Sequence, residues 1–178
     1  DKQLAATRER ALKIVQQTKD PVLDDRMAKI CSLRPSDART QAAAIVIARR
    51  AVELGGGHPF LAYFQMDLGM AEYRSGHYSA SDTALRAAAR LGNNDNTISV
   101  TTAFYRAMSL FRQGNETEAR KVATEAVAQT RPLPADEKNP LGGNGDGNDL
   151  ILWLAYKEAK AMIAFDGAPP PKGQKDKK

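Results

Sequence analysis

Residues 68–88 read LGMAEYRSGHYSASDTALRAA, and the fold is decided there. Gly76 divides two helical patterns. After it, Ser81, Leu85 and Ala88 stand four and then three residues apart, which places them on one helix face. The same spacing occurs at Ala44, Ala48 and Ala51, which is 37 residues earlier, and at Ala119, Ala123 and Ala126, which is 38 residues later. The preceding helices correspond too. Leu68-Gly69, Tyr73 and Gly76 match Arg106-Ala107, Phe111 and Gly114, again 38 residues on. A looser copy places Ala28, Cys31 and Leu33 before the first small-residue helix. Two antiparallel helices approach closely only where small side chains sit at the crossing. Gly69 and Ala107 supply these on the first helix of a pair, and Ser81, Ala88, Ala119 and Ala126 on the second. Each pair leaves an apolar face that only its neighbour can bury, which predicts an all-α solenoid.

Working outward, the periodicity predicts helices at about 3–18, 20–33, 37–54, 59–75, 78–91, 97–113, 115–129 and 149–165. Asp20-Pro21 puts a cap residue before a first-turn proline, and His58-Pro59 does something similar. Asn115 precedes Glu116 and Glu118, which suit the positive helix N-terminus. Gly55-Gly56-Gly57, Gly76, Gly92 and Gly114 signal stops. No segment alternates with a period of two, so no sheet is expected. The repeats fall at about 20–57, 58–92 and 96–130. The stretch 131–148 is rich in Pro, Gly and Asn and reads as a flexible loop. After it comes a last helix, capped by Asn148 or Asp149. Its apolar face carries Leu152, Trp153, Tyr156, Ala159 and Ile163. Trp153 is expected to pack on the 115–129 helix, so that residues 149–165 cap the open end of the array. Residues 166–178 read as a disordered basic tail.

Bulk properties narrow the function classes. Aromatic residues are only 6% of the chain, so the core rests on small side chains, which suit close-packed helices better than a sandwich of sheets. The net charge of +5 is concentrated in Lys172, Lys175, Lys177 and Lys178 of the tail. No Lys/Arg stripe with interleaved aromatics offers a face to nucleic acid. Cys31 is the sole cysteine, which excludes an intrachain disulfide and a Cys-rich metal site. No apolar run approaches the roughly 18–20 residues of a membrane span, and no signal peptide is visible. A cytoplasmic location is the expectation. The start at Asp1 without Met suggests a piece of a longer protein.

The stretch Leu68-Gly69, Tyr73, Gly76, Tyr78, Ser81, Leu85, Ala88 resembles the tetratricopeptide consensus, with serine in place of its usual alanine. Ala107, Gly114, Ala119, Ala123 and Ala126 look like a second copy, and residues 21–57 like a divergent first. The period exceeds the family's usual one of about 34 residues. The resemblance covers about residues 20–130. It implies a right-handed α–α superhelix of three helical pairs with a flanking helix at each end. A narrower resemblance lies in DPVLDDRMAKICSL, RRAVELGGGHPFLAYFQMDLGMAEYRSGHYSAS and LILWLAYKEAKAMI. These are similar to tetratricopeptide regions at the C-terminal ends of large bacterial proteins, many of which carry a serine/threonine kinase domain upstream. No kinase motif lies in these residues, so the resemblance implies a context, not an activity.

The resemblance also implies a peptide-binding groove lined by the first helices. Mapped onto this chain, it comprises Tyr63, Met66, Met70, Tyr73 and Arg74, then Thr101, Phe104, Tyr105, Met108, Phe111 and Arg112, about half of which are expected to be inter-repeat core instead of groove. Methionine adapts to varied partners and arginine pairs with carboxylates. Family members that clamp a chaperone's C-terminal carboxylate use Lys and Asn where this chain has Met66, Met70, Phe104 and Met108. That departure argues against such a partner.

Other candidates read as structural. His58 and His77 sit at turns without triad or metal spacing. Asn144, Asp146 and Asn148 mimic half a calcium loop, but the twelfth position is Ala155, not Glu. Asp20, Asp24 and Asp25 cluster where the helix dipole accounts for them. Cys31 reads as a buried small hydrophobe. The expectation is therefore a non-catalytic interaction or scaffold module with no catalytic residues, metal or cofactor. Its partner would be a protein or peptide segment, or a neighbouring domain of the same polypeptide, and not nucleic acid or membrane. The alternative is a structural spacer. A spacer should show a groove filled by its own side chains, and a binder an open apolar concavity. A calcium-binding or hydrolytic role for the 130–149 loop ranks far below both.

Overall fold

The computed structural model describes residues 2–16, 18–132, 134, 136, 138–141 and 146–167. The expected disorder beyond Gly167, and much of the expected 131–148 loop, lie outside the described residues. Eight helices and no strand are found among them. They are α1 (Lys2–Val15), α2 (Pro21–Ser32), α3 (Ala38–Leu54), α4 (Leu61–Arg74), α5 (Tyr78–Leu91), α6 (Asn96–Arg112), α7 (Glu116–Gln129) and α8 (Gly147–Met162). None of these is long and apolar enough to cross a membrane.

Local chemistry sets the helix ends. Asp20, Asp37 and Asp95 cap α2, α3 and α6, each accepting from backbone N–H groups of the first turn. Pro21 takes the first turn of α2, where its missing N–H costs nothing. His58 does not cap. It accepts from the Phe60 N–H in a turn, and α4 starts only at Leu61. Asn115 makes no side-chain cap bond either. α8 starts at Gly147, two residues ahead of the expected 149. Asp146 is the cap residue, and Asp149 returns a bond to its N–H in a capping box. Gly76 and Gly114 hold φ of 79° and 82° at equivalent hairpin turns, a conformation open chiefly to glycine.

The helices pack in sequence order. α2 pairs with α3, α4 with α5 and α6 with α7. α4 also rests on α2 and α3, and α6 rests on α4 and α5. Among the first helices α2 touches α4 and α4 touches α6, whereas α3, α5 and α7 make no comparable contact among themselves. The α2–α4–α6 side is therefore the inner side of the array. α1 lies on α2 and α3 at the start.

The small-residue spacing lies at the helix crossings. Ala44, Ala48, Ala51, Ser81, Leu85, Ala88, Ala119, Ala123 and Ala126 are all buried. Gly69 faces Leu85 so closely that a methyl group there would lie 2.5 Å from Leu85 Cγ. The Ser81 hydroxyl donates to the Gly69 carbonyl at 2.8 Å and also meets the Ser109 hydroxyl. The serine that replaces the expected alanine is thus satisfied inside the core, not an orphaned polar group.

α8 departs from the pattern. A further first helix would rest on both α6 and α7. Instead α8 packs along α6, on the side that faces α4 and the end of α2. Trp153 does not anchor it to α7. The indole N–H donates to the Pro132 carbonyl, past the end of α7. α7 is met by the chain after the helix, where Gly167 lies against Val127. Residues 149–165 therefore line the inner side of the array and do not cap its end. The long connection from Thr130 to Asp146 lets the helix leave the in-line position.

Candidate functional site

The inner side is where a groove would lie, and α8 occupies it. It runs parallel to α2, α4 and α6. Its start is near theirs, with Asn148 beside Val22 and Tyr63. Its later turns meet their ends, with Leu154 and Glu158 beside Leu33. Ile151, Leu152, Trp153, Ala155, Tyr156 and Ala159 join Met66, Met70, Tyr73, Phe104, Tyr105 and Met108 in one buried cluster. Phe165 folds back to complete it, with its ring centroid 6.4 Å from those of Phe104 and Tyr156.

Arg74 ties this arrangement together. Its side chain is 4% exposed and pairs with both carboxylate oxygens of Glu158 on α8. It also donates to the carbonyls of Ser32 at 2.8 Å and Leu33 at 2.9 Å, at the end of α2. A further bond reaches the Tyr105 hydroxyl on α6 at 3.0 Å. The guanidinium lies 5.3 Å from the Tyr73 ring centroid and 5.5 Å from that of Tyr105. One side chain thus joins four helices and gives partners to carbonyls that a helix C-terminus leaves open. Burial pushes the Tyr105 hydroxyl pKa up, so it remains a neutral partner.

The groove candidates divide accordingly. Met66, Met70, Tyr73, Thr101, Phe104, Tyr105 and Met108 are buried. Arg74 is consumed by Glu158 and the α2 carbonyls. Tyr63 stands at the opposite end, half-buried, donating to Asp95 at 2.6 Å. Phe111 is half-buried at the edge, and Arg112 is exposed beside the Tyr73 hydroxyl. The structure brings Tyr73, Arg74 and Tyr105 around one carboxylate and holds Tyr63 apart from them.

The acidic cluster at the start of α2 is mostly buried and ion-paired, not a set of dipole-facing side chains. The helix dipole accounts for Asp20 alone. Asp24 is fully buried and paired bidentately with Arg50 of α3. Asp25 is buried beside Lys29, whose ammonium lies 3.8 Å from Asp25 and 3.2 Å from Asp67 of α4. Burial, and then the neighbouring Asp25, hold the Asp67 carboxyl well above the usual carboxylate range, with Lys29 opposing. Burial works against the Lys29 charge, but Asp67 and Asp25 more than offset it and raise that pKa. Asp25 and Lys29 stand four residues apart, and that spacing was readable. Their facing Asp67 was not.

The remaining candidates take structural places. Cys31 is buried, and burial pushes its thiol up to about 11, far from a reactive thiolate. His77 pairs with the buried Glu72, which also holds Arg49. Asp146 serves as a helix cap, and Asn144 lies outside the described residues. Among the described residues no group of three His, Cys, Asp or Glu side chains is placed to hold a metal ion. No family profile, curated protein or solved structure matches this chain.

Proposed function

We propose that this chain is a non-catalytic helical-repeat module of the tetratricopeptide type, a right-handed superhelix of three helical pairs. In this reading it is a scaffold that packs against a neighbouring domain or protein through its outer faces. The observation that carries it is the occupation of the inner side by α8, locked by Arg74 and Glu158. Capture of an extended peptide at that side would require α8 to leave, exposing Leu152, Ala155 and Ala159, none of which exceeds 1% exposure. That cost favours a structural and packing role over a peptide receptor. The setting beside a bacterial protein kinase belongs to the same proposal, and its support is the residue resemblance alone. Hydrogen exchange on the intact chain is the test. The amides of α8 should exchange only with global unfolding. Exchange of α8 well ahead of α4 and α6 would mean that the inner side opens in the native state, and peptide capture would become the better reading.

A further inference from the structure

The sequence holds five methionines, and the fold sorts them. Met66, Met70 and Met108 are fully buried. Met27 and Met162 are half-buried. Met27 packs against the apolar cluster that holds Val15, Ala28 and Ile45. Met162 stands in other company. It ends α8, and the Tyr73 hydroxyl of α4 donates to its sulfur at 3.9 Å, across 89 residues of sequence. Tyr73 is only 6% exposed, and this sulfur is the acceptor its hydroxyl has among the described residues. Arg112, exposed at the end of α6, stands beside the same hydroxyl. Two polar donors therefore converge on one thioether.

Thioether sulfur is a weak acceptor, and the contact to Tyr73 is long. An oxygen added to that sulfur falls in the gap toward the hydroxyl. The long contact then becomes an O–H···O bond near its usual length of about 2.7–2.8 Å. The Arg112 guanidinium can add a charge-assisted bond to the same oxygen. At Met27 the added oxygen would be a polar atom against apolar side chains, the destabilising outcome that methionine oxidation commonly has.

We propose that Met162 is a modification site, oxidised by peroxide to methionine sulfoxide, and that Tyr73 and Arg112 hold the sulfoxide oxygen and fasten the end of α8 to α4. The thioether is oxidised and the peroxide is reduced. The sulfur lone pair forms the S–O bond as the peroxide O–O bond breaks. The departing hydroxide takes the proton of the transferred oxygen and leaves as water. This site goes beyond the packing role proposed above and does not require α8 to move.

The test is limited oxidation of the full chain with hydrogen peroxide, followed by peptide mass mapping and by urea melts read through Trp153 fluorescence. Met162 should take up oxygen roughly tenfold faster than the buried Met66, Met70 and Met108, because oxidation follows exposure. Met27→Leu removes the other half-buried site. In that background, oxidation should raise the urea midpoint of the fluorescence transition. Met162→Leu should abolish the shift. Tyr73→Phe keeps the ring and removes only the hydroxyl, and Arg112→Gln alters an exposed side chain; each should shrink the shift or reverse its sign. Oxidation of Met66, Met70 and Met108 as fast as Met162 would overturn the proposal. So would a midpoint that stays or falls on oxidation, or the same rise in the parent chain and in both variants.

Discussion

Replacing Arg74 by Met keeps the length of the side chain and removes its five hydrogen bonds to Ser32, Leu33, Tyr105 and Glu158. Glu158 is 28% exposed and regains water, so its loss is small. The Ser32 and Leu33 carbonyls and the Tyr105 hydroxyl lie where water enters poorly, and an unpaired buried polar group costs about 1–3 kcal/mol. Not all three stay dry, and the apolar replacement recovers some packing. The expected loss is about 3–5 kcal/mol, the range for removing one partner of a buried pair. Glu158→Gln is milder. Arg74 keeps its carbonyl and hydroxyl acceptors, and the amide oxygen still accepts one bond, so about 1–2 kcal/mol should be lost. Urea melts followed by far-ultraviolet circular dichroism give both values. The single tryptophan, Trp153, reports on α8 separately through its fluorescence. In Arg74→Met the fluorescence transition should precede the loss of helix, because α8 is what Arg74 holds. A cost under about 1 kcal/mol with coincident transitions would refute the argument that Arg74 fixes α8 on the inner side.

Gly69→Ala would place a methyl group 2.5 Å from Leu85 Cγ, and Leu85 is fully buried. The overpacking cost of about 1–3 kcal/mol should outweigh the gain of about 1 kcal/mol in helix propensity, and a stabilised variant in thermal melts would show that this crossing has slack. Ala88→Leu and Ala126→Leu should each cost about 1–3 kcal/mol, and neutral behaviour of both in denaturant melts would place them away from the crossings. Asp67→Asn probes the buried carboxyl. A folded pKa raised above the unfolded one gives stability that is complete below pH about 4 and is lost as pH rises through the folded value. The variant should therefore gain on the parent protein as pH increases from 4 toward 8, and a flat difference over that range would contradict a raised Asp67.

The sequence by itself determined the helices and their order. Glycine turns at Gly76 and Gly114, the aspartate cap at Asp20, and small residues spaced four and three apart are local signals that act within one turn or one hairpin. Repetition at 37 and 38 residues then made stacking readable, because each pair can bury its face only on the next. The position of α8 was not local. The apolar face of Leu152, Trp153 and Tyr156 announced a partner without naming it, and the long link before α8 fits either the end of the array or its inner side. Tertiary structure made that choice through Glu158 meeting Arg74, a pair 84 residues apart in sequence. It likewise set Asp67 and Lys29 against Asp25, a residue that reads as answering the dipole of a helix start, and made a buried charge cluster. Side chains that the sequence left divided between groove and inter-repeat core became core because long-range packing, which no sequence spacing records, brought another helix across them.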